Sequence, residues 1–282
     1  MESGAPQPGR LLDRTNVAAL IPAYEEEAHV RSVAERTRHE LDHVLVIDDG
    51  STDATAAHAR EGGSEVIVHP QNRGKGEAIK TGLRHWYARP AIEFILILDA
   101  DGQHLPEEIG RFLAAATATH AGLFIGTRMN DLRAMPFVRR VVNRYMSRRI
   151  SRICGQEIPD TQCGYRMIAR RLVPHLLDSG PSDVDPAVAG RADPAVAGRA
   201  DPAVAGGADP GRQSRNLAAS HATTSRFDYE TEMLFIASRA GFRIASVPIS
   251  TIYSDEVSSI HPIRDTVRFF RLMWRYEKPY PS

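Results

Sequence analysis

Short aliphatic runs alternating with helix-length amphipathic stretches constrain this chain more than any other feature of its sequence. Val17–Ile21, Val44–Ile47, Glu65–Val68, Phe94–Leu98 and Leu123–Ile125 read as strands. Between them, Glu25–His39, Asp53–Arg60, Lys75–Ala88 and Pro106–His120 carry the apolar spacing of helices. Pro106, followed by Glu107 and Glu108, suits a first turn, where proline loses no hydrogen bond and acids meet the positive end of the helix dipole. Strands that are apolar throughout are buried on both faces, and crossover helices joining such strands make a mostly parallel α/β sheet with helices on both faces. Ligands of such sheets gather at the carboxyl ends of the strands.

Composition narrows the classes of partner. With 282 residues, 42% of them hydrophobic, the chain can bury a full core, and 35 Lys+Arg against 35 Asp+Glu leave no net charge to drive nucleic-acid binding. The two cysteines, Cys154 and Cys163, build neither a disulfide scaffold nor a zinc cluster, which points to a reducing compartment and a cytoplasmic location. Residues 1–16 contain no apolar stretch and are expected to be a flexible N-terminus rather than a signal peptide. The longest aliphatic run, Ile95–Leu98 behind Phe94, is far short of the ~20 residues of a membrane span. Residues 185–208 repeat one octapeptide three times, twice as DPAVAGRA and once as DPAVAGGA. Pro and Gly in every copy exclude a helix, so 180–226 reads as a disordered insertion between a core at 17–179 and a closing part at 227–282.

The chemistry concentrates where strands end. Asp99-Ala100-Asp101-Gly102-Gln103-His104 follows the Phe94–Leu98 strand directly. Residues i and i+2 of an extended segment face the same way, so Asp99 and Asp101 present two carboxylates together with the Gln103 amide next in line. Such hard oxygen donors suit Mg2+ or Mn2+ shared with substrate phosphates, although acids at a strand end also serve as ordinary solvated turn residues. Asp48-Asp49-Gly50-Ser51-Thr52-Asp53 follows the second strand in the same way. Ser51 or Asp53 suits a helix cap, and Asp48 or Asp49 can accept hydrogen bonds from a base or ribose. Tyr24, at the end of the first strand, can stack on a flat ring.

Pro22-Ala23-Tyr24-Glu25-Glu26, Asp48-Asp49-Gly50-Ser51, Asn72-Arg73-Gly74-Lys75-Gly76 and Asp99-Ala100-Asp101-Gly102-Gln103-His104 resemble the motifs of the family 2 glycosyltransferases. The polyprenyl-phosphate branch, typified by dolichol-phosphate mannose synthase, is the most similar. Gly126-Thr127-Arg128, Asp160 to Arg166, Glu230-Thr231-Glu232-Met233 and Val247-Pro248-Ile249 continue the likeness in the same order. The resemblance implies a GT-A fold and inverting transfer of a hexose from a nucleotide diphosphate sugar, GDP- or UDP-linked. It implies that Pro22, Tyr24 and Glu26 border the nucleoside and that Asp49, or else Asp48, holds the base. Asp99, Asp101 and Gln103 would bind the metal, Arg128 would meet phosphate, and Lys75 would reach the diphosphate or serve as an ordinary helix-start cation. Glu25 stands where the family usually carries Asn.

The acceptor decides whether a base is needed. A phosphate monoester is largely a dianion at neutral pH and attacks unaided, whereas a glycan hydroxyl needs a carboxylate. Asp160 and Glu232 are the candidates for that base, or else buried partners of Arg166. Residues 128–152 hold eight arginines and one acid, with Arg140, Arg144, Arg148 and Arg152 four apart, a stripe that suits a lipid phosphate, a membrane surface or simply solvent. Arg264, Arg268, Arg271 and Arg275, interleaved with Phe269, Phe270 and Trp274, form a second amphipathic basic segment. Ser258-Ser259 stands where lipid-phosphate members commonly have Ser-Lys. The first expectation is therefore transfer to a polyprenyl phosphate by a protein peripheral to the cytoplasmic membrane face. The alternatives are a glycan hydroxyl acceptor and a nucleotide-sugar-binding protein without catalysis.

Overall fold

The computed structural model describes residues 12–128, 137–178 and 228–250. The repeat insertion, the basic segment at 264–275, Ser258-Ser259 and most of the N-terminal stretch lie outside the described residues. Strands β1 (Val17–Ala23), β2 (His43–Asp48), β3 (Glu65–Val68), β4 (Phe94–Ile97), β5 (Leu123–Thr127), β6 (Arg166–Ala169) and β7 (Ile244–Pro248) alternate with helices. These are α1 (Val30–Glu40), α2 (Thr55–Glu61), α3 (Lys75–Tyr87), α4 (Ile109–Ala118), α5 (Phe137–Cys154), α6 (Val173–Asp178) and α7 (Asp228–Arg239).

The strands form one sheet in the order β3-β2-β1-β4-β6-β5-β7. The pairs β1–β2, β1–β4, β2–β3 and β5–β7 are parallel, and only the two pairs made by β6 are antiparallel. Every residue of β1, β4 and β5 is buried, as unbroken apolar runs covered on both faces require. α3 lies so close to β1 that a Cβ on Gly82 would stand 2.1 Å from Leu20 Cδ1, and Trp86 on the same helix donates its indole N–H to Ala19 O. Glycine at 82 is therefore what lets helix and sheet meet at this distance.

Two helices start later than periodicity alone suggests, for one reason. α1 begins at Val30 rather than Glu25 because Glu25 has a φ of 56°, which no helix accommodates. The amides of Glu25, Glu26 and Glu27 instead donate to Ser51 Oγ, Thr55 Oγ1 and Asp53 Oδ2, zipping the loop after β1 to the loop after β2. α2 begins at Thr55 rather than Asp53 because the Asp53 carboxylate accepts from the Thr55 amide and hydroxyl. Pro106–Glu108 forms a short 3₁₀ turn ahead of α4. β6, which the aliphatic pattern does not single out, enters between β4 and β5 and brings residues 160–166 to the edge where the parallel strands end.

Both cysteines are unpaired and buried, and burial pushes each thiol up to about 12. Native protein is expected to resist iodoacetamide at neutral pH and to take up two equivalents once unfolded in guanidinium chloride. Fast labelling of the native chain at Cys163 would contradict this packing.

Candidate active site

Parallel pairing brings the carboxyl ends of β2, β1 and β4 side by side: Ala23 is in register with Asp48, and Leu20 with Ile97 two residues before Asp99. Through the antiparallel β6, Arg166 faces Ile97 on one side and Ile125 on the other, so the end of β5 with Arg128 reaches the same edge.

Asp99 is the meeting point. Lys75, the first residue of α3, places Nζ 2.5 Å from Asp99 Oδ1 and 2.7 Å from Glu230 Oε1. Neither oxygen receives an aligned hydrogen bond, so the ammonium holds both by charge. Burial opposes charging Lys75, yet the two carboxylates outweigh it and hold its pKa above the ordinary lysine value. Burial likewise opposes charging Asp99, and Lys75 more than offsets it, keeping the carboxyl below the usual range. Asp101 moves the other way: burial and then the Asp99 charge push it up. Its Oδ1 accepts the Gln103 amide at 2.9 Å, in a turn whose Gly102 has a φ of 75°. His104 is buried, stacks on Tyr165 at 5.0 Å and accepts the Asp99 amide at Nδ1, as a neutral imidazole can. Burial lowers its pKa accordingly.

The residues expected to hold a base are also braces. Asp49 accepts His69 Nδ1 and the Arg73 amide at Oδ1 and the Gly74 amide at Oδ2, while His69 Nε2 lies 3.0 Å from Thr81 Oγ1. Asp49 thus fixes the loop that launches Lys75, and Gly74 there adopts a φ of 89° that an L side chain would resist. Asp48 accepts the Ser51 amide at 2.9 Å and closes its own turn. Pro22 is buried in β1 opposite Ile47, whereas Tyr24 and Glu26 are half-buried just beyond it. Glu25 accepts the Thr52 amide and hydroxyl, and its left-handed backbone is a conformation that asparagine adopts more readily than glutamate.

Arg128 and Asp160 form a two-pronged pair, Nε to Oδ2 at 2.8 Å and Nη2 to Oδ1 at 3.1 Å, with Asp160 fully buried. Asp160 is therefore the partner of Arg128, not of Arg166. The Arg166 guanidinium is wholly buried and donates to the carbonyls of Cys163, Thr161 and Glu230. It binds the loop at 160–165 to the start of α7. Of the two glutamates on α7, Glu230 reaches the cluster. Glu232, two residues on and about 200° around the helix, stands near Tyr229, whose phenol is pushed up by burial and then by the Glu232 charge. Sequence reasoning passed over Glu230 although it belongs to the quoted stretch, and gave no role to His69, His104 or Gly164. A Cβ on Gly164 would lie 2.6 Å from Asp99 Oδ2, so only glycine leaves room for that carboxylate.

Among the described residues no three His, Cys, Asp or Glu side chains converge as a ready cage for an ion. Asp99, Asp101 and Gln103, oxygen donors on one turn, are the residues that would hold a divalent ion whose shell is completed by substrate oxygens.

The family model for glycosyl transferase family 2 matches residues 18–177. A UDP-N-acetylglucosamine–dolichyl-phosphate N-acetylglucosaminyltransferase of Methanococcus voltae is 25% identical over 257 residues, spanning 84% of this chain and 85% of that one. The polyprenol monophosphomannose synthase of Mycolicibacterium smegmatis is 31% identical over 184 residues, spanning 61% and 69%. Among solved structures, glucosyl-3-phosphoglycerate synthase from Mycobacterium tuberculosis, in complex with Mn2+, uridine diphosphate and phosphoglyceric acid, superposes with a TM-score of 0.59. It shares 16% identity, covering 94% of this chain and 80% of that one, and the likeness shows the GT-A fold.

Gly164→Ala is expected to displace the Asp99 carboxylate and slow turnover about 100-fold, the scale of a misplacement near one ångström, with the circular dichroism spectrum unchanged. Wild-type turnover in that variant would mean that Asp99 does not act from where it stands.

Proposed function

The chain belongs to glycosyltransferase family 2, and from that membership we propose that it moves a hexose from a UDP- or GDP-sugar to a polyprenyl phosphate, with inversion at the anomeric carbon. As a glycosyltransferase it is an enzyme, which removes the binding-protein alternative. The observation that carries the finer reading is the cluster at the β4 tip: Asp99 and Asp101 at one turn, with Lys75 on Asp99 and Arg128, held by Asp160, just past the end of β5 on the same edge.

When the bond from the anomeric carbon to the diphosphate breaks, negative charge grows on the leaving oxygens, and fixed cations stabilise it without proton transfer. Mg2+ or Mn2+ at Asp99, Asp101 and Gln103 would supply Lewis-acid stabilisation of those oxygens. Lys75 brings a second positive charge from the first turn of α3. Arg128 brings a third, with its guanidinium plane fixed by Asp160. Tyr24, Pro22 and Glu26 line the nucleoside side, and Asp49, with three of its acceptor directions taken by His69, Arg73 and Gly74, keeps one for a base N–H.

The engagement of Asp160 with Arg128 supports a phosphate acceptor, which needs no base, over a hydroxyl acceptor. The names of the two relatives, which specify dolichyl phosphate and polyprenol, support the same choice. α5 carries the exposed Arg144, Arg148 and Arg152 with Tyr145 52% exposed beside them, a face suited to anionic headgroups. Among the described residues no helix is long and apolar enough to cross a membrane. Peripheral attachment is the arrangement the basic face of α5 supports, and in this reading it is at the cytoplasmic face.

Incubation with labelled UDP- and GDP-hexoses and a polyprenyl phosphate is expected to yield labelled lipid, and Asp101→Ala to cut that yield about 1000-fold. Label appearing only in a glycan, or an active Asp101→Ala protein, would overturn the acceptor or the metal assignment respectively. Replacing Arg144, Arg148 and Arg152 by Glu is expected to abolish cosedimentation with phosphatidylserine vesicles, since each cation near the surface contributes about 1 kcal/mol.

A further inference from the structure

We propose that Lys75 is a built-in cation that competes with a divalent ion for Asp99, and that Glu230 is the positioning residue that receives the Lys75 ammonium when the ion binds. The inference rests on the metal reading of Asp99 and Asp101 given above.

The Lys75 ammonium lies between two carboxylates, 2.5 Å from Asp99 Oδ1 and 2.7 Å from Glu230 Oε1. A divalent ion of the magnesium class takes carboxylate oxygens at roughly 2.0–2.1 Å. An ammonium already against the same oxygen cannot stay there, because two cations at that range repel strongly in a half-buried site. Lys75 has little freedom at its backbone: the amides of Arg73 and Gly74, just before it, are held by Asp49. Only the stem can swing, and Glu230 is the one other carboxylate in contact with the ammonium among the described residues. Glu230 is itself held, since its carbonyl accepts from the buried Arg166 guanidinium. Asp101, the other acid of the turn, has no cation in contact among the described residues, so it is Asp99 alone that Lys75 guards.

The consequence is order of loading. In the absence of donor, an ion at Asp99 faces the displaced Lys75 charge at close range. The negative diphosphate of a donor offsets both cations, so ion and donor bind best together.

The test measures Mn2+ binding to the full-length, nucleotide-free protein from the paramagnetic resonance signal of the free ion. Lys75→Gln, which removes the charge and keeps a polar side chain of similar length, is expected to bind Mn2+ about tenfold tighter than wild type. Lys75→Arg keeps the charge and is expected to show no gain. Glu230→Gln, which leaves Lys75 no carboxylate but Asp99, is expected to weaken Mn2+ about tenfold, and to weaken it less than about threefold in the Lys75→Gln background. Adding UDP is expected to shrink the advantage of Lys75→Gln. Unchanged or weaker Mn2+ binding by a Lys75→Gln protein that melts like wild type overturns the proposal, as does an equal Glu230→Gln loss in both backgrounds. If neither wild type nor any variant binds Mn2+, even with UDP present, the metal reading falls and the proposal with it. Ion binding indifferent to Lys75 overturns the proposal alone.

Discussion

Two carboxylates at one strand tip cannot both be buried and charged without a cation, and the rest of this site is arranged around that constraint. Asp99 and Asp101 lie on one turn after β4, where burial and then the Asp99 charge oppose ionisation of Asp101. The chain answers with Lys75, delivered by the first turn of α3. A lysine is a suitable stand-in for an ion because it is a compact charge on a flexible stem, able to leave without disturbing the backbone that carries it.

That backbone is rigid because the loops after the strands are tied to one another rather than to solvent. Asp49 gathers His69 and the amides ahead of α3, and Ser51, Asp53 and Thr55 gather the amides after β1. Arg166 performs the same office on the other half of the edge, satisfying its buried guanidinium with three carbonyls in place of a carboxylate. A buried charge so satisfied stabilises little compared with an apolar side chain, but it fixes where the loop at 160–165 and the start of α7 sit. Catalysis of the proposed kind depends on such fixed dipoles and charges, because a site that must reorganise during bond breaking loses the electrostatic advantage.

Much of this was legible without coordinates. β1 to β5 lie where aliphatic runs place them, and the acid motif follows the tip of β4, although Ala100 and Asp101 form a turn there in place of an extended segment. Helix starts were less legible, because the amides of Glu25 to Glu27 are claimed by side chains from a loop more than twenty residues away. β6 escaped notice because Arg166 breaks its apolar run, and nothing local shows that three carbonyls satisfy that arginine.

The sequence by itself determined the α/β architecture, the edge at which chemistry gathers and the identity of the paired acids, since burial periodicity and strand direction are local properties of the chain. Tertiary structure alone decided that Glu230 rather than Glu232 meets Lys75, that Asp160 pairs with Arg128 rather than Arg166, and that Asp49 braces the α3 loop. Each choice joins residues on different elements, and it is settled by which face of a helix or tip of a strand the packed core turns toward its neighbour. A linear pattern fixes the faces but not the neighbour.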